Sequence, residues 1–234
     1  MAGARDERGG TTHPGGEVLV PGPTPDELRA VLSGPSALGG ADRSYDVLLA
    51  ATAPAIDPSR RAHRAALHRW LNAWGCRIRY PQPGEPDLFD RGVAAWWRRR
   101  AGGLGPIHAP LAELSEVEID LIAEAYVDLS AAAVALDARG HHRTMGPTAA
   151  AKCLYALRPR SVMPWDLMIA QRLHGGRDRD AFAGHLRLGR RWAQDLVTTS
   201  GLGEAALLAD LDRTGATLAK VLDEYCYLRF TAGR

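Results

Sequence analysis

The sequence predicts an all-α protein that forms either one domain or two small helical lobes. Apolar residues recur three and four positions apart over several long stretches, which is the spacing of one helix face. Residues that favour helix starts stand where such stretches begin, as at Thr24 and Ser115. The only run with strand-like composition, Cys76 to Tyr80, is five residues long. Helices are therefore expected throughout the ordered part of the chain.

The chain has 234 residues, of which 46% are hydrophobic, so it is long and apolar enough to bury a core. Residues 1–22 are rich in Gly, Pro, Thr and charge without periodicity, which predicts a disordered tail before an all-α domain over residues 23–234. The tail has no apolar stretch typical of a secretory signal. The longest apolar run, Ala131 to Leu136, is far shorter than the roughly 20 residues of a membrane span. A cytoplasmic protein is expected.

Charge and cysteine content argue against a polycationic nucleic-acid coat protein and against a disulfide-bonded or zinc-binding protein. The formal net charge is +2, which excludes a polycationic coat for nucleic acid but allows a local basic patch. Cys76, Cys153 and Cys226 lie far apart in apolar surroundings. That pattern favours buried thiols over a disulfide framework or a zinc site. No cofactor and no metal are expected, although His141 and His142 form a pair that can relay protons.

Three helices are predicted in the first half of the chain. Thr24 caps a short helix to about Leu32, which is followed by a loop over Gly34 to Ser44. A second helix starts at Asp57 and Pro58 and ends near Gly75, and a third covers Asp87 to Arg100.

The longest helix is predicted from a cap at Ser115 to about Ala138, with one apolar stripe and an acidic first turn. Gly140 ends it, and a hairpin follows. Four further helices are expected, over Pro147 to Leu157, Asp166 to Leu173, Asp178 to about Thr198 and Glu204 to about Arg229.

The stretch from His142 to Ala170 is the most informative part of the sequence. Gly146 ends a tight turn, Pro147 suits the first helical position, and Ala149 to Ala151 allow a neighbouring helix to approach closely. Backbone N–H groups at such a helix start can hold a phosphate oxygen. The alternative interpretation is an ordinary helix start after a turn.

This stretch resembles the core of the helix-hairpin-helix DNA glycosylases. In that superfamily the hairpin ends in a glycine, a small-residue helix follows, and a catalytic aspartate caps the next helix. Gly146, Thr148, Ala149 and Asp166 match this order over about 30 of the 234 residues. The family hairpin usually has two glycines, whereas the sequence from Arg143 to Gly146 keeps only the second.

The resemblance implies a role for each matching residue. Asp166 is expected to stabilise the oxocarbenium character that develops when an N-glycosidic bond breaks, and its alternative role is helix capping alone. Thr148 stands where enzymes with lyase activity have a lysine, which implies a monofunctional reaction with water as the nucleophile. Lys152, one turn further along, is a candidate ion-pair partner of Asp166 or an amine nucleophile.

A glycosylase must also stack an extruded base and contact phosphates. Trp165 and Tyr155 are the first candidates for base stacking, with Trp96 and Trp97 behind them, and core packing is the alternative for each. The candidate nucleic-acid contacts are Arg143, Thr144, Gly146, Thr148, Arg158 and Arg160. A solvated loop has the same composition.

The sequence thus predicts a helix-hairpin-helix glycosylase-like fold and a monofunctional hydrolase that releases a damaged or modified base, with DNA as the expected partner. One alternative is a binding protein that recognises nucleic acid or another partner on the same scaffold without catalysis. A second is a structural helical protein in which the match at Gly146 and Asp166 is coincidental.

Overall fold

The structure is a computed structural model that describes residues 20–33 and 39–232, and this part of the chain is mainly helical. Its ten α-helices are α1 (Pro25–Leu32), α2 (Gly39–Thr52), α3 (Arg61–Ala73), α4 (Leu88–Leu104), α5 (Glu116–Ser130), α6 (Pro147–Leu157), α7 (Leu167–His174), α8 (Arg179–Ser200), α9 (Glu204–Asp210) and α10 (Leu218–Cys226). A 3-10 turn (Leu111–Glu113) precedes α5, and a π-helical segment (Tyr227–Thr231) follows α10. Within the described ranges, none of these helices is long and apolar enough to cross a membrane.

The predicted helix starts are confirmed where the sequence carries capping residues. Thr24 and Ser115 each form a capping box with the glutamate three residues later. Asp87, Asp166 and Asp178 cap α4, α7 and α8 by accepting a hydrogen bond from a backbone N–H of the first turn. The side chain of a single residue fixes each of these boundaries, which is why local sequence predicts them.

Helix α6 lies at the centre of the hydrophobic core. It packs between α3 and α5, and every residue from Ala149 to Leu157 is buried except Lys152. Three consecutive alanines at its start allow the neighbouring helices to approach closely. Helix α8 packs on the other side of α5, and one hydrophobic cluster runs from Leu28 to Cys226. Between Ala149 and Leu157, Lys152 is therefore the one residue of this central helix that is partly exposed.

The prediction that the helix from Ser115 continues to Ala138 is wrong. Helix α5 ends at Ser130, and strand β1 (Ala133–Leu136) pairs with an antiparallel strand β2 (His142–Thr144). The chain is thus mainly helical but not purely so. Apolar alanine, valine and leucine fit a helix as well as a strand, and the pairing with residues six to eleven positions later decides the outcome. Cys76 to Tyr80 is not part of a sheet, and Arg77 within it has a left-handed φ of 53°.

Other boundaries also differ from prediction. Helix α3 begins at Arg61 rather than at Asp57 and Pro58, and its N-cap residue Arg60 makes no side-chain capping hydrogen bond. Helix α2 occupies residues from Gly39, inside the predicted loop of Gly34 to Ser44, whose residues 34–38 lie outside the described part. The predicted helix from Glu204 to Arg229 is interrupted between α9 and α10, where Asp212 and Gly215 have φ angles of 55° and 87°. A helix cannot pass through such left-handed positions.

The predicted tail of residues 1–22 lies mostly outside the described residues. Its last three residues are described and pack on the domain, because the Trp192 indole donates a hydrogen bond of 3.1 Å to the carbonyl oxygen of Val20. Gly22 lies against the same indole ring.

We expect Gly92→Ala to destabilise the protein by about 1–3 kcal/mol, because a Cβ atom on this α4 residue collides with the Ala133 carbonyl oxygen of β1. Gly102→Ala is the matched control in the same helix, where nothing lies within 4 Å of the added atom. It is expected to stabilise by up to about 1 kcal/mol. Urea denaturation measures both, and equal effects would contradict this account of α4 packing.

Candidate functional site

A cavity of about 200 Å³ lies beside the start of α7. Its lining comes from the end of α3, from α6, from the turn before α7, and from α10 with the following π-helical segment. The lining residues are Trp74, Lys152, Trp165, Asp166, Ile169, Lys220, Asp223 and Tyr227. The structure therefore brings together three predicted site residues: Asp166, Lys152 and Trp165. The cavity is smaller than the roughly 300–1,000 Å³ of sites for drug-sized molecules, so it suits one small ring system.

Asp166 is fixed by two hydrogen bonds. Its Oδ1 accepts from the backbone N–H of Ile169 at 2.9 Å, which is the helix cap. Its Oδ2 accepts from the Thr231 hydroxyl at 2.9 Å, which ties α7 to the π-helical segment. The side chain is half-buried and forms part of the cavity wall. This carboxylate therefore caps α7 and lines the cavity at the same time.

Lys152 and Asp166 face the same cavity without forming an ion pair. The Lys152 ammonium donates to the carbonyl oxygen of Trp74 at 2.7 Å and lies 5.5 Å from the centre of its ring. Among the described ion pairs within 4.0 Å, none joins Lys152 to a carboxylate. The backbone and ring of Trp74 hold the ammonium at the wall instead.

Lys220 is the second cation of the cavity, and its ammonium lies 5.4 Å from the centre of the Trp74 ring. It forms an ion pair of 3.0 Å with Glu224 and lies 3.9 Å from Asp223. Glu224 is buried and also pairs with Arg213. A buried carboxylate requires such partners, because an unpaired one is strongly destabilising. Glu224 therefore fixes Lys220 at the cavity.

The predicted stacking residues are both core residues. Trp165 is 1% exposed and packs edge-on against Tyr126 and Phe182. Tyr155 is 3% exposed and stacks on Trp74, with ring centres 5.7 Å apart, so Trp74 separates it from the cavity. The half-buried Trp74 and Tyr227 are the other aromatic residues that line the cavity.

Two histidines, the buried His185 and the half-buried His174, support the turn that carries Asp166. His185 Nε2 lies 3.3 Å from the carbonyl oxygen of Pro164, and its Nδ1 lies 3.0 Å from His174 Nε2. We assign both rings as neutral, with His174 donating to His185 and His185 donating to Pro164. Burial lowers the pKa of His174 to about 4, and burial together with the neighbouring His174 lowers that of His185 to about 3. Both rings also contact Trp165.

A second depression of about 570 Å³ lies on the other side of the Trp74–Cys76 turn, and we call it the arginine groove. The β1–β2 hairpin forms one wall and the extended segment from Cys76 to Arg79 forms the other. Three of the predicted nucleic-acid contacts, Arg143, Thr144 and Gly146, line it. Arg77 and Arg79, which sequence reasoning missed, line it too.

The other predicted nucleic-acid contacts lie elsewhere. Thr148 is in the first turn of α6, and Arg160 is exposed beyond its far end. Arg158 donates to the carbonyl oxygens of Leu104, Leu157 and Gly105. Its guanidinium thereby closes the C-terminal end of α4. The predicted basic patch is therefore split between the two ends of α6, and Arg158 has a structural role.

Gly146 has a φ of 75°, a conformation that favours glycine, and precedes Pro147 at the start of α6. Its N–H donates to the carbonyl oxygen of Ser130 at 3.0 Å, and Pro147 has no N–H. Two of the backbone groups that were expected to hold a phosphate are therefore not available.

The cavity residues that the sequence analysis missed come from the end of α3 and from the C-terminal segment. Lys220, Asp223 and Tyr227 are spaced three and four apart, so they share one face of a helix opposite the apolar residues Leu218 and Leu222. This polar helix face could have been recognised in the sequence as a candidate site. The sequence around Trp74 does not indicate a site, because Trp74 directly precedes Gly75 at a helix end. No group of His, Cys, Asp and Glu in the described ranges is arranged to hold a metal ion.

Comparisons with models of protein families, with curated proteins and with solved structures find no match to this chain.

We expect the free energy of unfolding to fall as the pH decreases from about 7 towards 4. An unfolded histidine takes up a proton near its ordinary pKa of 6.5, whereas folded His174 does so near 4 and folded His185 near 3. Protons in this range therefore favour the unfolded chain, and His185 alone contributes up to about 1.4 kcal/mol per pH unit.

Urea denaturation across this pH range measures the slope. A double variant, His174→Gln with His185→Gln, is expected to give a shallower slope than the natural protein. His108→Gln is the control, because it removes an exposed imidazole and leaves the buried pair intact. An unchanged slope in the double variant would show that the pair is not the source of the pH dependence.

Proposed function

We propose that the protein is a monofunctional, DNA-glycosylase-like hydrolase that releases a damaged or modified base at the Asp166 cavity. The observation that carries the proposal is the position of the Asp166 carboxylate in the wall of a small cavity lined by Trp74 and Tyr227. A carboxylate beside aromatic rings meets the two needs of base excision, which are charge stabilisation at the sugar and a surface for the base.

The chemistry assigned to Asp166 is electrostatic. As the bond between C1′ and the base nitrogen breaks, the electron pair leaves with the base and positive charge develops on the sugar. The carboxylate stabilises that charge, and water forms the new bond to C1′ while its proton passes to solvent or to the base. The bonds to Ile169 and Thr231 hold the carboxylate in place, so it needs little reorganisation during the reaction.

The resemblance at Gly146, Thr148, Ala149 and Asp166 supports the same reaction class. In helix-hairpin-helix glycosylases the catalytic aspartate also caps the helix after the small-residue helix, and here Asp166 caps α7 after α6. Thr148 in place of the lyase lysine favours water as the nucleophile. Lys152 then serves to hold the cavity wall through Trp74 and to offset negative charge, rather than to attack the sugar.

We expect Asp166→Asn to reduce base release by at least about a hundredfold, because the neutral amide does not stabilise an oxocarbenium ion. Asparagine is a good N-cap, so the fold is expected to persist. Asp178→Asn is the matched control, since Asp178 caps α8 in the same way at an exposed position. The assay incubates duplexes that carry alkylated, oxidised or deaminated bases and measures abasic sites.

Full activity of Asp166→Asn would remove this carboxylate from the mechanism. A protein that binds these duplexes but releases no base would favour the second candidate, a binding protein without catalysis. One observation favours that candidate: both oxygens of Asp166 already accept a hydrogen bond from the protein.

Trp74→Ala is expected to weaken substrate binding by about tenfold, whereas Trp74→Phe keeps most of it, because any aromatic ring offers a stacking face. The measurement is the Michaelis constant for the nucleic-acid substrate that carries the modified base. Equal loss in both variants would indicate that the indole supports the fold, through its hydrogen bond to Ser44, rather than the base.

A further inference from the structure

The arginine groove has one rigid wall, the extended segment from Cys76 to Arg79. The Asn72 side chain holds this segment by accepting from the Ile78 N–H at 2.7 Å and donating to the Ile78 carbonyl oxygen at 2.8 Å. Ile78 is buried, whereas Arg77 and Arg79 are exposed. Both arginines line the groove.

Arg77 adopts a backbone conformation that arginine rarely takes, with a φ of 53°. Only glycine, and less often asparagine or aspartate, visits this region routinely, so the position is strained by about 1 kcal/mol or more. A residue in a strained conformation that lines an open groove is more typical of a functional surface than of a solvated loop.

The opposite wall is the β1–β2 hairpin, which contributes the exposed Arg143. Asp137 also lines the groove, but its Oδ1 accepts from the N–H groups of Arg139 and His141 at 2.8 and 2.9 Å. These hydrogen bonds hold the Asp137 carboxylate in the turn between β1 and β2. Arg79 pairs with Glu85 through two hydrogen bonds of 2.6 and 3.0 Å. Arg77 and Arg143 both line the groove, and neither forms an ion pair within 4.0 Å among the described residues. The pKa of the Asp137 carboxyl is lowered by the backbone hydrogen bond from His141 and, to a smaller extent, by the charge of Arg143.

The groove and the Asp166 cavity lie next to each other along the chain. Trp74 lines the cavity, Cys76 lines the groove, and only Gly75 separates the two residues. Two residues that are two positions apart lie within about 7 Å, measured between their Cα atoms. The turn formed by residues 74–76 therefore contributes to the walls of both the groove and the cavity.

We propose that the arginine groove binds the phosphodiester backbone of a single-stranded nucleic acid and directs one of its bases into the Asp166 cavity. This rests on the proposed function, because it names the form of the substrate at the same site. The groove is bounded by two extended segments and carries guanidinium groups, which bind phosphate oxygens in bidentate fashion. The small cavity admits a base only when it is unstacked, and an unpaired strand offers such bases at least cost.

The test uses fluorescence anisotropy of a labelled single-stranded oligonucleotide over a range of salt concentrations. Arg143→Ala and Arg77→Gly are each expected to weaken binding by about tenfold and to reduce the salt slope by about 0.7. Arg77→Gly removes the guanidinium and relieves the strained backbone, so lost stability does not explain a weaker complex.

Arg61→Ala is the matched control, since it removes one exposed arginine from the other end of α3, about 20 Å from Gly75. Its affinity is expected to stay within about twofold of the natural protein, as a charge far from the groove is screened. Affinities of Arg77→Gly and Arg143→Ala that equal that of Arg61→Ala would overturn the proposal.

Polyglutamate, an acidic chain without bases, distinguishes a peptide groove from a nucleic-acid groove. If it displaces the oligonucleotide at equal charge concentration, the groove takes acidic peptides and the proposal falls. Base release by the same variants separates the two proposals. If the groove variants bind the oligonucleotide as well as the natural protein does, while base release still depends on Asp166, only the groove proposal is overturned. If the groove variants bind more weakly, but the natural protein releases no base, only the proposed catalysis is overturned.

Discussion

The two hydrogen bonds of the Asp166 carboxylate hold the candidate site together. One fixes the start of α7, and the other joins this helix to Thr231 at the end of the described chain. The second bond ties the start of α7 to the π-helical segment that carries Tyr227, and both elements contribute to the cavity wall. A polar group that is partly buried is costly to leave without a hydrogen-bond partner. The constraint that orders the cavity is therefore the same one that orients the Asp166 carboxylate.

The charges around Trp74 depend on a deeper constraint. Glu224 is buried, so Lys220 and Arg213 must lie close to it. This requirement brings the Lys220 ammonium to one position near the Trp74 ring, while the Trp74 carbonyl oxygen holds Lys152 at another. Two cations near one indole leave little freedom for its ring. The aromatic wall of the cavity is thus positioned by electrostatics as well as by packing against Tyr155.

The sequence predicts what local chemistry decides. Capping residues such as Thr24, Ser115 and Asp166 satisfy backbone groups within three residues, so the helix starts at these positions were predictable. The strand after α5 was not, because its alanine, valine and leucine residues acquire strand structure only by pairing with His142 to Thr144. In the candidate site, Asp166, Lys152 and Trp165 were predictable from one continuous stretch. Trp74 and the C-terminal residues come from elements more than 50 positions away, and only the fold brings them to α6 and α7.

The β1–β2 hairpin changes how the resemblance to the glycosylases is understood. In that superfamily a glycine-rich hairpin presents backbone N–H groups to the phosphate. Here the Gly146 N–H is bonded to Ser130 and Pro147 has none, so the turn itself has lost donors. The chain between α5 and α6 is long enough to form two strands, and it carries Arg143 beside the segment that carries Arg77. Guanidinium groups offer donors that do not depend on the turn geometry. In the proposed complex, the arginine side chains supply the phosphate contacts that the backbone of this turn does not offer. The missing glycine therefore does not by itself argue against the proposal.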